Sequence, residues 1–263
     1  MTVCLTGDVH HTSLETRDQA YMDRTEVEAA VEYAEVAGRY DVPVTLFVTG
    51  KAAKEEPEGV RRLAAMDHVE IGGHNYWAFG TPLHTLFRGV TGSWNGPRRF
   101  QGWEIRRTVR AFEVLGVRIR SWRDHAYRHD WNTAELLSRA GITHFSDEVA
   151  PEGDVRTEAG LTVVPVNTPP DHEHVYHAFR TPEFVREEDF EGPFGTESRA
   201  VSEWVEWVRE HLAAHDRAGR VATVLAHPSC MWLADGLEAF ERLCADVLAD
   251  RTTVRVRDCS DDG

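Results

Sequence analysis

The chain opens with Val3-Cys4-Leu5-Thr6-Gly7-Asp8-Val9-His10-His11, a short apolar run that ends in a carboxylate and two imidazoles. Such a run is typical of a strand that is buried on both faces. Further apolar runs alternate with segments of helical period, and this alternation predicts βα units around a parallel sheet. We therefore predict an α/β fold with Asp8 at the carboxyl end of its first strand.

The predicted elements follow one another along the whole chain. We predict strands at residues 3–6, 44–48, 69–71, 117–122, 142–145, 221–226 and 253–256. We predict helices at residues 24–40, 58–66, 103–115, 133–140, 202–215 and 237–249. Two long stretches near residues 75–100 and 168–197 break this rhythm, and long loops are usually functional. We interpret them as insertions around a substrate cleft in a single domain that spans residues 1–263.

The composition limits the classes of function. The chain has 263 residues and a formal net charge of -15, so we expect no binding to nucleic acid or to anionic membranes, since both need a basic surface. The start reads as a strand, without a signal peptide, and no apolar run is long enough to span a membrane. The four cysteines have no C-x-x-C spacing, and we expect them to be reduced. These features predict a cytoplasmic protein.

Polar residues that can carry chemistry follow the predicted strands. In a barrel of parallel strands these ends converge on one face, where the catalytic groups of such folds are found. The candidate residues are Asp8, His10, His74, Arg123, Asp124, Asp147 and His227. The sequence therefore predicts one site assembled from distant segments.

These segments resemble the ordered motifs of the polysaccharide deacetylase (NodB-homology) superfamily. Residues 5–9 resemble its opening T-F-D-D motif, residues 70–76 the start of its two-histidine motif, and residues 121–125 its F-R-x-P motif. Residues 146–147 follow at the expected distance, and residues 224–228 resemble the closing L-H-P motif. The resemblance spans about residues 2–256 and implies a distorted (β/α)7-type barrel.

The resemblance also implies an activity, the hydrolysis of a C–N amide bond in an N-acetylated sugar or a soluble sugar conjugate. It implies a divalent metal, usually zinc, held by one Asp and two His, with a second Asp as base and His227 as acid. Arg123 matches the arginine that orients the base, and Asp147 matches the acid that tunes the closing histidine. The chain departs from the pattern at Val9 and Ala78, which occupy two of the usual ligand positions.

Three hypotheses follow from this departure. In the first, the metal site is rebuilt from Asp8, His10 and His74, a set suited to zinc with an open position for water. Asp124 or a neighbouring histidine then takes the proton. In the second, the protein is a metal-independent hydrolase of a small or cyclic amide. In the third, it is a catalytically silent carbohydrate-binding member of the fold.

Other histidines and aromatic residues have less specific interpretations. We interpret His11 as a solvated loop residue, and residues 172–177 with their three histidines as an exposed polar loop in preference to a second metal cluster. For the aromatic residues flanking the predicted site we favour core packing over stacking on a substrate. These residues are Tyr76, Trp77, Phe79, Trp94 and Trp232.

Overall fold

The computed structural model describes residues 1–261, which form one curled sheet with helices packed against it. The strands are β1 (Thr2–Val9), β2 (Val44–Val48), β3 (Val69–Gly73), β4 (Ser121–Trp122), β5 (His144–Phe145), β6 (Arg156–Glu158), β7 (Leu161–Val163), β8 (Ala222–Leu225) and β9 (Thr252–Val254). The helices are α1 (Glu26–Arg39), α2 (Gly50–Glu55), α3 (Pro57–Ala64), α4 (Pro82–Thr91), α5 (Arg98–Val114), α6 (Thr133–Arg139), α7 (Asp171–His174), α8 (Pro182–Glu187), α9 (Val201–Ala218), α10 (Pro228–Asp235) and α11 (Glu238–Arg242). A π-helical segment, Leu243–Leu248, continues α11.

The sheet has the order β6-β7-β5-β4-β3-β2-β1-β8, and β9 pairs with the first residues of β1. The neighbours from β7 to β8 are parallel, and β6 alone runs antiparallel to its partner. This sheet is curled into a half-barrel, so the predicted α/β fold and distorted (β/α) barrel are confirmed. The short hairpin of β6 and β7 was not predicted.

Close packing around β1 explains two of the glycines in the quoted motifs. A Cβ at Gly7 would lie 2.8 Å from the carbonyl oxygen of Ala226, and a Cβ at Gly73 would lie 2.3 Å from the ring of Trp122. Both distances are too short for any side chain. The strands can therefore approach one another only with glycine at these positions.

The helices begin and end where local signals allow. Helix α1 begins at a capping box in which Thr25 accepts a hydrogen bond from the Glu28 N–H and Glu28 accepts one from the Thr25 N–H, which satisfies two otherwise unpaired amides. Its apolar face packs on the sheet through Val27, Val31 and Ala34. Such one-sided burial supplies most of the stability of a helix in a globular protein.

The two predicted insertions contain helices that the sequence pattern did not reveal. Helix α4 lies in the first, α5 begins at Arg98 where residue 103 was predicted, and α7 and α8 lie in the second. Helices α7 and α8 have only four and six residues, too few for an apolar period to be recognised in the sequence.

No helix within residues 1–261 combines the length and the apolar composition needed to cross a bilayer.

Candidate active site

Polar side chains from four strands meet at one rim of the sheet. Asp8 is near the end of β1, His74 follows β3, Arg123 follows β4 and His227 follows β8. The carboxyl ends of neighbouring parallel strands share an edge, which is why these residues converge. Asp8 and His227 line a pocket of about 450 Å³ above this rim.

Asp8 is a buried carboxylate with a fixed ion-pair partner. Its Oδ1 accepts a hydrogen bond from Arg123 Nη1 at 2.9 Å, while its Oδ2 lies 3.5 Å from His227 Nε2 and 3.9 Å from His74 Nε2. Burial by itself raises the pKa of Asp8, but Arg123 and the two histidines lower that pKa by more, to well below its ordinary value. Asp8 is therefore ionised at neutral pH.

His227 is oriented by Asp171, a residue that the sequence motifs did not indicate. The imidazole Nδ1 lies 2.6 Å from Asp171 Oδ1, and the backbone N–H of His227 donates to Asp171 Oδ2 at 2.6 Å. Burial by itself lowers the pKa of His227, but Asp171 and Asp8 raise that pKa to well above its ordinary value. The ring nitrogen Nδ1 donates to Asp171, and the other ring nitrogen, Nε2, faces Asp8. His227 is thus a proton donor at neutral pH.

Asp147 and Asp124 belong to a separate buried network. Asp147 Oδ2 lies 2.7 Å from His129 Nδ1, and its Oδ1 accepts a hydrogen bond from the Asp124 N–H at 2.7 Å. Burial raises the pKa of Asp124 to about 8 and that of Asp147 to about 6. The prediction that Asp147 tunes His227 is wrong, because Asp147 contacts His129 instead. Asp124 is buried and lies outside the described lining of the pocket above Asp8, and its role as base stays a prediction.

Three imidazoles meet close to Asp8, and we call them the three-histidine cluster: His10, His74 and His125. His10 Nε2 and His125 Nδ1 are 2.9 Å apart, and one ring nitrogen of each residue lies within 4.8 Å of the other two. His125 stands in the short turn His125–Tyr127 after β4. In this turn Ala126 and Tyr127 adopt positive φ angles of 53° and 55°, a strained conformation that is often found at functional sites.

Contacts behind the cluster fix two of its rings. His10 Nδ1 lies 2.9 Å from Glu26 Oε2, and His74 Nδ1 lies 3.0 Å from the carbonyl oxygen of Arg123. A carbonyl oxygen can only accept, so His74 Nδ1 carries the proton and Nε2 carries the lone pair. Carboxylate and carbonyl partners of this kind orient histidines that bind metals.

The protonation of the cluster leaves lone pairs available. Burial lowers the pKa of His74 to about 3 and lowers that of His125 to well below its ordinary value. Burial also lowers the pKa of His10, but the Glu26 carboxylate raises it by more. His74 and His125 are therefore neutral at pH 7, as metal binding requires.

The cluster fits a divalent metal better than the predicted set of Asp8, His10 and His74. Within residues 1–261, the buried Nε2 of His74 has no hydrogen-bond partner, and an orphaned lone pair beside two further imidazoles suits a cation such as zinc. Asp8 is engaged by Arg123 and lies outside the group of mutually close ligand atoms. Beside His10 and His74, the third ligand-type atom within this group belongs to His125.

Part of the pocket lining comes from the second predicted insertion, residues 168–197, and none of the described lining residues comes from the first. Tyr127, Phe179 and Phe190 are among the lining aromatic residues. The five aromatic residues predicted to flank the site are absent from the described lining of this pocket, and Tyr76 and Phe79 are buried in agreement with core packing.

Two interpretations of other histidines are wrong. His11 is buried and its Nδ1 lies 3.2 Å from Thr49 Oγ1, so it is no solvated loop residue. The expected exposed loop at residues 172–177 begins as α7, and His174 and His177 are buried. Only His172 of these three is substantially accessible, and it lines the pocket.

A model of the polysaccharide deacetylase family matches residues 16–145. This match includes His74, Arg123 and His125, while Asp8 and His227 lie outside it. No curated protein was found to match the sequence.

Several solved structures share the fold at low sequence identity. A Mycobacterium smegmatis protein classed among the polysaccharide deacetylases is 22% identical, with a TM-score of 0.69 over 97% of this chain and 86% of its own. PuuE allantoinase is 13% identical, with a TM-score of 0.68 over 98% of this chain and 88% of its own. The chitin deacetylase of the fungal pathogen Colletotrichum lindemuthianum is 16% identical, with a TM-score of 0.56 over 100% of this chain and 88% of its own.

Proposed function

Since this chain is a divergent member of the polysaccharide deacetylase superfamily, whose enzymes hydrolyse C–N bonds of acetylated sugars, we propose that it is a metal-dependent deacetylase. Its substrate in this proposal is an N-acetylated sugar or a soluble sugar conjugate. The observation that carries the proposal is the three-histidine cluster, which lies beside the ionised Asp8, itself 3.5 Å from the protonated His227.

The cluster supplies the cation site that Val9 and Ala78 cannot. His10 and His125 provide imidazoles in place of the usual carboxylate and second histidine, while His74 keeps the position of the two-histidine motif. A bound divalent cation, with zinc favoured by an all-imidazole set, would polarise the amide carbonyl and make water more acidic.

Asp8 and His227 can perform the two proton transfers. As water adds to the amide carbon, the Asp8 carboxylate accepts a proton from it, and Arg123 holds that carboxylate in place. His227 Nε2 then donates its proton to the departing nitrogen as the C–N bond breaks. The products are acetate and a free amine.

The pocket supports a small substrate. Its volume of about 450 Å³ is within the range of sites for small molecules. Tyr127, Phe179 and Phe190 offer flat apolar surfaces against which the C–H face of a sugar ring can pack. A monosaccharide or a short conjugate matches this pocket better than a long polymer.

The test combines metal content with acetate release from a panel of N-acetyl sugars. We expect that His10→Ala, His74→Ala and His125→Ala each lose about one zinc ion per chain relative to the native protein, and at least about 100-fold in activity. His211→Ala, on the distant helix α9, is the matched control and should change neither quantity.

Two results would contradict the proposal. Unchanged metal content in all three variants would remove the cluster as a metal site. Amide hydrolysis that persists after chelation would instead favour the metal-independent hydrolase of a small or cyclic amide.

A further inference from the structure

Asp18 and His172, which also line this pocket, belong to a second group of ligand-type side chains. We call it the Cys230 cluster, and its members are Asp18, His172, His177 and Cys230. One ligand atom of each residue lies within 4.8 Å of the other three. The family motifs do not include these positions, and the proposed deacetylase chemistry does not use them.

The distances in the cluster match those around a tetrahedral cation. Cys230 Sγ lies 3.5 Å from His172 Nδ1 and 3.4 Å from His177 Nε2. Asp18 Oδ2 lies 3.6 Å from His172 Nδ1, and Asp18 Oδ1 lies 3.4 Å from His177 Nε2. Tetrahedral zinc, with bonds of about 2.0 to 2.3 Å, places its ligand atoms about 3.3 to 3.8 Å apart.

The hydrogen bonds leave a gap that a cation would fill. His177 Nδ1 lies 2.8 Å from the carbonyl oxygen of Val175, so Nδ1 carries the proton and a lone pair on Nε2 faces Asp18. Among the described residues, the buried Asp18 Oδ1 has no hydrogen-bond partner. Two acceptors therefore face each other at 3.4 Å without a shared hydrogen bond. The Val175 carbonyl is the outer contact that orients a metal-bound histidine.

The members come from three separate segments. Asp18 lies between β1 and α1, His172 and His177 lie in and after α7, and Cys230 lies in the first turn of α10. Cys230 is fully buried at the border of the hydrophobic core, with its sulfur beside His172 and His177, and a cysteine thiolate is a preferred ligand of zinc.

A competing arrangement shares Cys230. Asp171 and His227 also lie near its sulfur, but these two residues already satisfy each other at 2.6 Å. The four residues of the Cys230 cluster have weaker contacts among themselves, so the cation fits there.

We propose that the Cys230 cluster binds a second divalent cation, zinc, in a closed site with four protein ligands. Closed sites of this kind are structural, whereas catalytic sites keep an open position. His172 directly follows Asp171, which orients His227, and Asp18 lies in the loop after β1. A cation bound by both His172 and Asp18 would therefore connect the segment that orients His227 to this loop. The proposal does not depend on the deacetylase activity.

Cobalt(II) distinguishes the two sites, because thiolate-to-cobalt charge transfer in the near ultraviolet requires a cysteine ligand. We expect the native protein, freed of metal and reloaded with Co²⁺, to bind about two ions and show this band. Cys230→Ser should bind about one ion and lose the band. Cys259→Ser, which changes a cysteine that contacts Cys4 and not the cluster, should keep both.

Two further variants protect the test from failures of folding. His10→Ala, which disrupts only the three-histidine cluster, should lose about one ion and keep the band. His172 is the most exposed member of the Cys230 cluster, with 44% of its side chain accessible, so its replacement should disturb the fold least. We expect His172→Ala to raise the Kd of the Cys230 cluster for Co²⁺ by at least about 10-fold. The proposal is supported if the band follows Cys230 and His172 and survives His10→Ala. It is overturned if the folded native protein shows no band or if Cys230→Ser keeps it.

Discussion

The two carboxylates around His227 have different tasks at the scale of single residues. Asp171 binds both the imidazole Nδ1 and the backbone N–H of His227, whereas Asp8 faces Nε2 at 3.5 Å. Asp171 sets the orientation and keeps the proton on the ring, while Asp8 faces the ring nitrogen that can release a proton to a substrate. Asp171 belongs to none of the quoted family motifs. It is the first residue of α7 and follows Pro169 and Pro170.

Replacement of Asp171 should move the alkaline limit of activity. The raised pKa of His227 keeps the acid protonated in the folded protein, and activity falls as pH rises through that pKa. Asp171→Asn removes the main cause of the increase, so we expect the alkaline limb to shift to lower pH and activity at pH 8 to fall by about 100-fold. The measurement is the pH profile of kcat/KM.

Asp147→Asn is the matched control for this prediction. Asp147 contacts His129 and not His227, so the alkaline limb should stay in place. A limb that moves with Asp147→Asn and not with Asp171→Asn would return the tuning role to Asp147.

The loop after β3 shows how one helix positions an insertion. Glu104 on α5 accepts hydrogen bonds from the backbone N–H groups of Tyr76 and Trp77, both at 3.1 Å, and its other oxygen lies 3.1 Å from His84 Nε2. Helix α5 thereby holds both this loop and α4. Ala78, at the usual second-histidine position, is buried within the loop with a φ of 46°.

Loss of the Glu104 carboxylate should loosen these two elements together. Glu104→Gln leaves at least one buried hydrogen bond unsatisfied, and we expect a loss of about 1 to 3 kcal/mol in the free energy of unfolding. Hydrogen exchange should become faster at residues 76–77 and in α4. Glu113→Gln, at an exposed position of the same helix, should leave both measurements unchanged, and an equal effect of the two variants would rule out this role of Glu104.

The acidic surface acts on the whole molecule. The net charge of -15 produces repulsion among the acidic side chains, and salt screens this repulsion. We expect the free energy of unfolding to rise by roughly 1 to 2 kcal/mol between about 0.1 and about 1 M salt. Denaturant titrations in NaCl and in KCl should agree, since screening does not depend on the cation. Maximal stability at about 0.1 M salt or below would contradict this expectation.

The positions of the strands and the common edge of their carboxyl ends could be predicted from local patterns, whereas the strand order came from the structure. Each predicted strand is an apolar run bounded by turn residues, as at residues 44–48, which form β2. A connection between parallel strands usually contains a helix. The carboxyl ends of such strands share one edge, so Asp8, His74, Arg123 and His227 could be placed together without coordinates. The helices α7 and α8 inside the second insertion could not be predicted, because four and six residues are too few to show an apolar period.

The sequence by itself determined the fold, the rim on which the chemistry stands and four of its residues, because these depend on periodicity and strand direction. Tertiary structure decided the partners of those residues: His125 in place of Asp8 beside His10 and His74, and Asp171 in place of Asp147 beside His227. These pairings depend on how loops fold over the rim. A loop residue has no periodic pattern that reports its direction, so only the packed chain shows which side chains meet.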